Sequence, residues 1–73
     1  MIHIGQLIRQ ELEDQDRTVI WFAQCLAYSR ANVYKIFDKT SIDTELLLRI
    51  STLLDVDFFK VYTTEWNTRR DNK

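Results

Sequence analysis

The chain contains no proline and a single glycine, Gly5, so it lacks the residues that most often turn a strand back on its neighbour. It also shows no sustained alternation of apolar and polar positions, the pattern of a half-buried strand. What recurs is the spacing of three and four that lays side chains along one face of a helix. Ile4, Leu7, Ile8 and Leu12 form the first such stripe, which ends in the charged, polar stretch Glu13 to Arg17. Thr18 offers an N-cap, and Val19, Phe22, Ala23 and Leu26 share one face, predicting a second helix to about Ala27. Ser29 offers another cap, and Val33, Ile36 and Phe37 mark a short amphipathic helix over Ser29–Phe37. Asp43 caps a fourth helix with the broad apolar face Leu46, Leu47, Ile50, Leu53 and Leu54. A break near Asp55 and Asp57 leads to Phe58, Phe59, Val61 and Tyr62, a fifth helix ahead of a polar tail that begins at Asn67. The expected fold is all-α, a compact five-helix bundle. Its core draws on Leu7, Phe22, Ala23, Leu26, Val33, Ile36, Leu47, Ile50, Leu54 and Phe58.

Seventy-three residues suit one domain, here 1–66, followed by the polar C-terminal tail 67–73, whose residues Arg69 to Lys73 read as a frayed end. A binding module fits that size better than an enzyme with an elaborate cleft. Catalytic chemistry is not expected: no histidine follows His3, the single cysteine Cys25 has no evident base, and no glycine-rich phosphate loop exists. No cofactor and no metal site are expected, His3 standing at a loose terminus without further ligands nearby. Cys25 cannot form an internal disulfide and reads as an inert position on the second helix, which fits a reducing cytoplasm. Met1 to Gln6 lacks a basic region followed by a long apolar run, and the longest apolar run is Val19 to Ala23, so neither a signal peptide nor a membrane span is expected.

The formal charge is −1, so any attraction to nucleic acid must come from a local patch. Residues 11–17 set four carboxylates against Arg17, whereas residues 30–39 hold Arg30, Lys35 and Lys39 against Asp38. The second stretch lies in the layout that matters most: two short amphipathic helices, Thr18–Ala27 and Ser29–Phe37, separated by almost no loop. That is the layout of a helix-turn-helix, in which the second helix projects and fits the major groove of DNA. Its outward set is Arg30, Ala31, Tyr34 and Lys35. Arg30 suits a guanine edge, Ala31 a thymine methyl group, and Lys35 a guanine or a phosphate. Ser29, Asn32 and the open amides at the helix start suit phosphate oxygens. Thr18 and Lys39 complete the expected DNA-binding set.

At these residues the chain resembles the Cro and lambda-repressor-like family, also called the XRE family. The resemblance runs from Ile4 to Tyr62. It is carried by Ile4-Gly5-Gln6-Leu7-Ile8-Arg9, Phe22-Ala23, Ser29-Arg30-Ala31-Asn32-Val33-Tyr34-Lys35-Ile36, Leu47-Leu48-Arg49-Ile50 and Leu54-Asp55-Val56-Asp57-Phe58. It implies a five-helix bundle that binds double-stranded DNA as a homodimer on a palindrome and regulates transcription, with bases read from Arg30, Ala31, Tyr34 and Lys35. Val19 stands where the family commonly has a phosphate-touching glutamine, and Ala27 where it has the glycine of the turn.

A second reading keeps the bundle and changes its use. Val19-Ile20-Trp21 replaces a stretch that is polar in the family, and Phe59 to Trp66 carries large aromatics near the C-terminus. Either patch could hold a protein partner, in which case the domain is an interaction module. The cluster Phe58, Phe59, Tyr62 and Trp66 is also the expected seat of self-association.

Overall fold

Four of the five helices begin where the sequence supplies a side chain able to accept from the open amides of a first turn. The computed structural model describes residues 1–72, which form α1 (Ile4–Asp14), α2 (Val19–Leu26), α3 (Arg30–Phe37), α4 (Thr44–Leu54) and α5 (Lys60–Asp71), with no strand among the described residues. The Trp21 amide donates to Thr18 Oγ1 at 3.0 Å, the Asn32 amide to Ser29 Oγ at 3.1 Å and the Leu46 amide to Asp43 Oδ1 at 2.8 Å. The cap of α1 is His3, whose Nδ1 accepts from the Gln6 amide at 3.2 Å. His3 is therefore half-buried and fixed, where a loose terminus was expected. α5 starts without a side-chain cap and two residues later than Phe58, since Asp57 Oδ1 accepts from the Phe59 amide at 3.0 Å and holds Phe58 and Phe59 in a turn.

Three helices stop in a left-handed residue, a conformation for which glycine is the usual choice. Here the positions are Asp16 (φ 56°), Ala27 (φ 58°) and Asp55 (φ 56°). At α2 the Tyr28 amide donates to the Ala23 carbonyl at 2.9 Å and the Ala27 amide to the Gln24 carbonyl at 3.2 Å, the paired bonds that close a helix tightly. α2 and α3 are thus joined by three residues, Ala27 to Ser29.

The core collects Ile4, Ile8, Leu12, Phe22, Ala23, Leu26, Val33, Ile36, Phe37, Leu47, Ile50, Leu54 and Phe58. Nine of the ten expected core residues are in it. The exception is Leu7, 39% exposed. At 100° per residue, Ile4, Ile8 and Leu12 advance only 40° at each step and make a narrow buried stripe. Leu7 falls well to one side of that stripe, over a groove with Val56, Phe58 and Val61.

α1 and α3 meet end to end. The Ile4 and Gly5 amides donate to the Thr40 and Lys39 carbonyls at 3.1 and 3.0 Å, so the open start of α1 satisfies the chain leaving α3. The approach needs Gly5: a Cβ there would lie 2.6 Å from the Phe37 carbonyl carbon and closer still to the Ile36 and Phe37 carbonyl oxygens.

α5 behaves differently from the rest. None of its twelve residues is buried, and the molecule measures 43 by 20 by 20 Å with a radius of gyration of 13.0 Å, against about 11 Å for a spherical domain of this length. The helix continues to Asp71, through the polar tail expected from Asn67 and into the frayed end expected from Arg69. Lys73, the last residue of that expected tail, lies outside the described residues. Among the described residues no helix is long and apolar enough to cross a membrane.

Candidate nucleic-acid interface

α3 is amphipathic by register. Val33, Ile36 and Phe37 are buried, while Arg30, Ala31, Asn32, Tyr34 and Lys35 are exposed. Projected at 100° per residue, Ala31 and Lys35 lie opposite the buried stripe, Arg30 and Tyr34 flank them on one side, and Asn32 lies on the other. The four expected base readers therefore form one contiguous outward surface. Tyr34 is held more firmly than its 49% exposure suggests, because its ring meets Phe37 edge-on with centroids 5.9 Å apart. Phe37 in turn stacks on Phe22 at 6.4 Å, linking the exposed tyrosine to the core.

Ser29 and Thr18 each use an oxygen lone pair to cap their own helix, which leaves the hydroxyl proton of each to donate elsewhere. Ser29 satisfies the Asn32 amide, so the Arg30 and Ala31 amides stay open at the start of α3. Lys39 stands beyond the other end of α3, an axial distance of about 12 Å for an eight-residue helix. Its carbonyl is fixed by Gly5 and its side chain is exposed. Each expected residue is thus exposed and available to a ligand, at the start, outer face or end of the α2–turn–α3 unit.

The charge arrangement is sharper than composition indicates. Residues 17–39 contain Arg17, Arg30, Lys35 and Lys39 against Asp38 alone, a net +3, so with a total of −1 the rest of the chain carries −4. The ion pairs of the described residues involve Arg9, Arg69 and Arg70. None involves Arg17, Arg30, Lys35 or Lys39, so no ion pair among the described residues engages these four charges.

The turn that sets the pose of α3 is supported from α4. Arg49 Nη2 donates to the Leu26 carbonyl at 3.0 Å, a cation on the negative end of α2. Sequence reasoning gave Arg49 no role beyond its place in the family resemblance, and no local pattern marks this bond, since its partner lies 23 residues away. It also passed over Arg17, whose guanidinium lies over the Trp21 ring at 4.4 Å. That pair was legible in principle as a basic residue four positions before an aromatic one, an ordinary helical spacing, but a helix start falls between them.

The Val19–Trp21 patch is part covered and part open. Val19 and Trp21 pack against the core, while Ile20 is 53% exposed. No protein-family model, curated protein or solved structure was found to match the chain.

Proposed function

We propose that the chain is a sequence-specific, double-stranded DNA-binding protein of helix-turn-helix type, a transcriptional regulator that acts in the cytoplasm. In this reading it sets α3 in the major groove as one half of a homodimer. One observation carries the proposal: Arg30 and Lys35 on α3, Lys39 just beyond it and Arg17 just ahead of α2 are exposed and engaged in no ion pair among the described residues, in a chain of net negative charge. Such a surface attracts a polyanion by releasing its counterions. The outward row Arg30, Ala31, Tyr34 and Lys35 supplies groups that distinguish base edges in the groove. The resemblance to the Cro and lambda-repressor-like family supports the same docking, with the first helix of the motif crossing the phosphate backbone.

Within this reading Arg30 identifies a base, and Lys39 holds phosphate. Arg30→Ala is expected to cost about 1–3 kcal/mol on the preferred site and to relax preference at one base pair. Lys39→Ala is expected to weaken binding to all sequences alike and to lower the salt slope by about one unit. The measurement is selection of sites from a random duplex pool, then affinities for preferred and scrambled duplexes across a salt series. An enriched palindrome supports both DNA recognition and a two-fold dimer; no enrichment at low salt removes the proposal.

A second reading rests on a specific feature. Trp66 is 58% exposed on a helix that buries none of its residues, an unusual place for a large aromatic unless something covers it. An interaction module that holds a protein through Phe59–Trp66, or through Val19–Trp21, would use this surface and would show no preference among duplexes.

A further inference from the structure

Three arginines of this protein lie over aromatic rings: Arg9 over Phe37 at 5.6 Å, Arg70 over Trp66 at 4.7 Å and Arg17 over Trp21 at 4.4 Å. Arg9 is also paired with Glu13 and Arg70 with Asp71. Arg17 has the shortest of the three stacks, and no carboxylate pairs with it among the described residues. It combines a stacked position with a charge that no ion pair among the described residues engages.

The position is held from both sides. The Arg17 amide donates to the Leu12 carbonyl at 2.9 Å, which ties its backbone to the end of α1. The Trp21 amide is held by Thr18, and the indole packs against the core. A guanidinium that stacks on a ring uses its face and keeps the N–H donors in its plane. Those donors match two oxygens of a phosphate at once, which an ammonium cannot do. The first turn of α2 otherwise offers only Val19, Ile20 and Trp21, so besides the Thr18 hydroxyl, the indole N–H and the open amides of that turn, the cation at this end of α2 is Arg17.

We propose that Arg17, positioned by its stack on Trp21, is a backbone phosphate contact of the DNA interface, and that Trp21 acts as the platform for that arginine. This inference rests on the DNA-binding reading above. It gives the apolar segment at the start of α2 a role in holding a cation and adds Arg17 to Ser29, Asn32 and Lys39 among the side chains assigned to phosphate.

The test uses the full chain with its preferred and a scrambled DNA duplex, with affinity measured across a salt series and the fold checked by circular dichroism at the same temperature. Arg17→Ala is expected to lower affinity about threefold to tenfold at low salt and to reduce the salt slope by about one unit, with preferred and scrambled duplexes affected alike. Arg17→Lys keeps the charge, so the slope should stay near that of the parent while part of the affinity is lost. Trp21→Leu should follow Arg17→Lys, since it removes the platform and leaves the charge. If Arg17→Ala does not fold, Arg17→Gln, which keeps most of the stem, is read by the same criteria. A parent slope and affinity in the Arg17→Ala protein overturn the inference and leave the DNA-binding reading standing. Parent affinity in the Trp21→Leu protein overturns the platform role. A parent chain that binds no duplex at low salt overturns inference and reading together.

Discussion

Ala27 sits at φ 58° and ψ 37°, in the region where a Cβ crowds the following carbonyl and an L-residue is about 1–2 kcal/mol worse off than in a right-handed turn. The chain accepts that strain because the two closing bonds of α2 and the short link to Ser29 require it. Ala27→Gly is therefore expected to raise stability by roughly 0.5–1 kcal/mol, the relief of strain being partly offset by the greater freedom of glycine in the unfolded chain. Urea denaturation measures it, and a loss of stability would mean that the turn is not left-handed in solution. Asp16 and Asp55 perform the same task with a short polar side chain that tolerates the region better than alanine does. These helix ends were hard to read in a sequence with one glycine. A reader looking for glycine finds none there, and the ends show only as polar interruptions.

The relation of α3 to the rest of the molecule depends on α1, through two amide-to-carbonyl bonds and the missing side chain of Gly5. A methyl group added there meets backbone, which cannot rotate away as a side chain can. Gly5→Ala is expected to cost about 1–3 kcal/mol, the usual range for overpacking a close contact, measured by thermal or urea unfolding. An unchanged stability would show that α1 and α3 are further apart than described. Much of the architecture was legible because its signals are local: caps Thr18, Ser29 and Asp43 lie three residues from the amides they satisfy, and the apolar stripes repeat within a helix. What the sequence hid joins distant elements. Gln15 Nε2 donates to the Leu54 carbonyl at 2.9 Å and Arg49 to that of Leu26, so the ends of α4 and α2 are each tied by a long polar side chain, one from the residue that ends α1 and one from α4. Neither bond leaves a periodic trace. Leu7 failed for a related reason: its spacing fits the α1 stripe, but only the packed neighbours decide how wide a buried face can be.

The extended shape puts α5 at the margin of the body, with Trp66 as its largest exposed side chain. Self-association through this helix is the expected outcome, and it would explain why twelve residues remain ordered as a helix without burying one. Trp66→Glu, or removal of the chain from Thr64 onward, should move the protein toward monomer in sedimentation velocity. A parent chain that is already monomeric at high concentration would rule this out. The segregation of charge, +3 over residues 17–39 against −4 elsewhere, has a consequence for encounter rather than for affinity. Fields of this kind reach about one Debye length, roughly 8 Å at physiological salt. A polyanion within that range attracts residues 17–39 and repels the acidic stretches 1–16 and 40–59, each net −3, although residues 60–73 carry +2, so the protein turns before it touches. Productive collisions then outnumber those expected for a uniformly charged body of the same size, and the advantage fades as ionic strength rises.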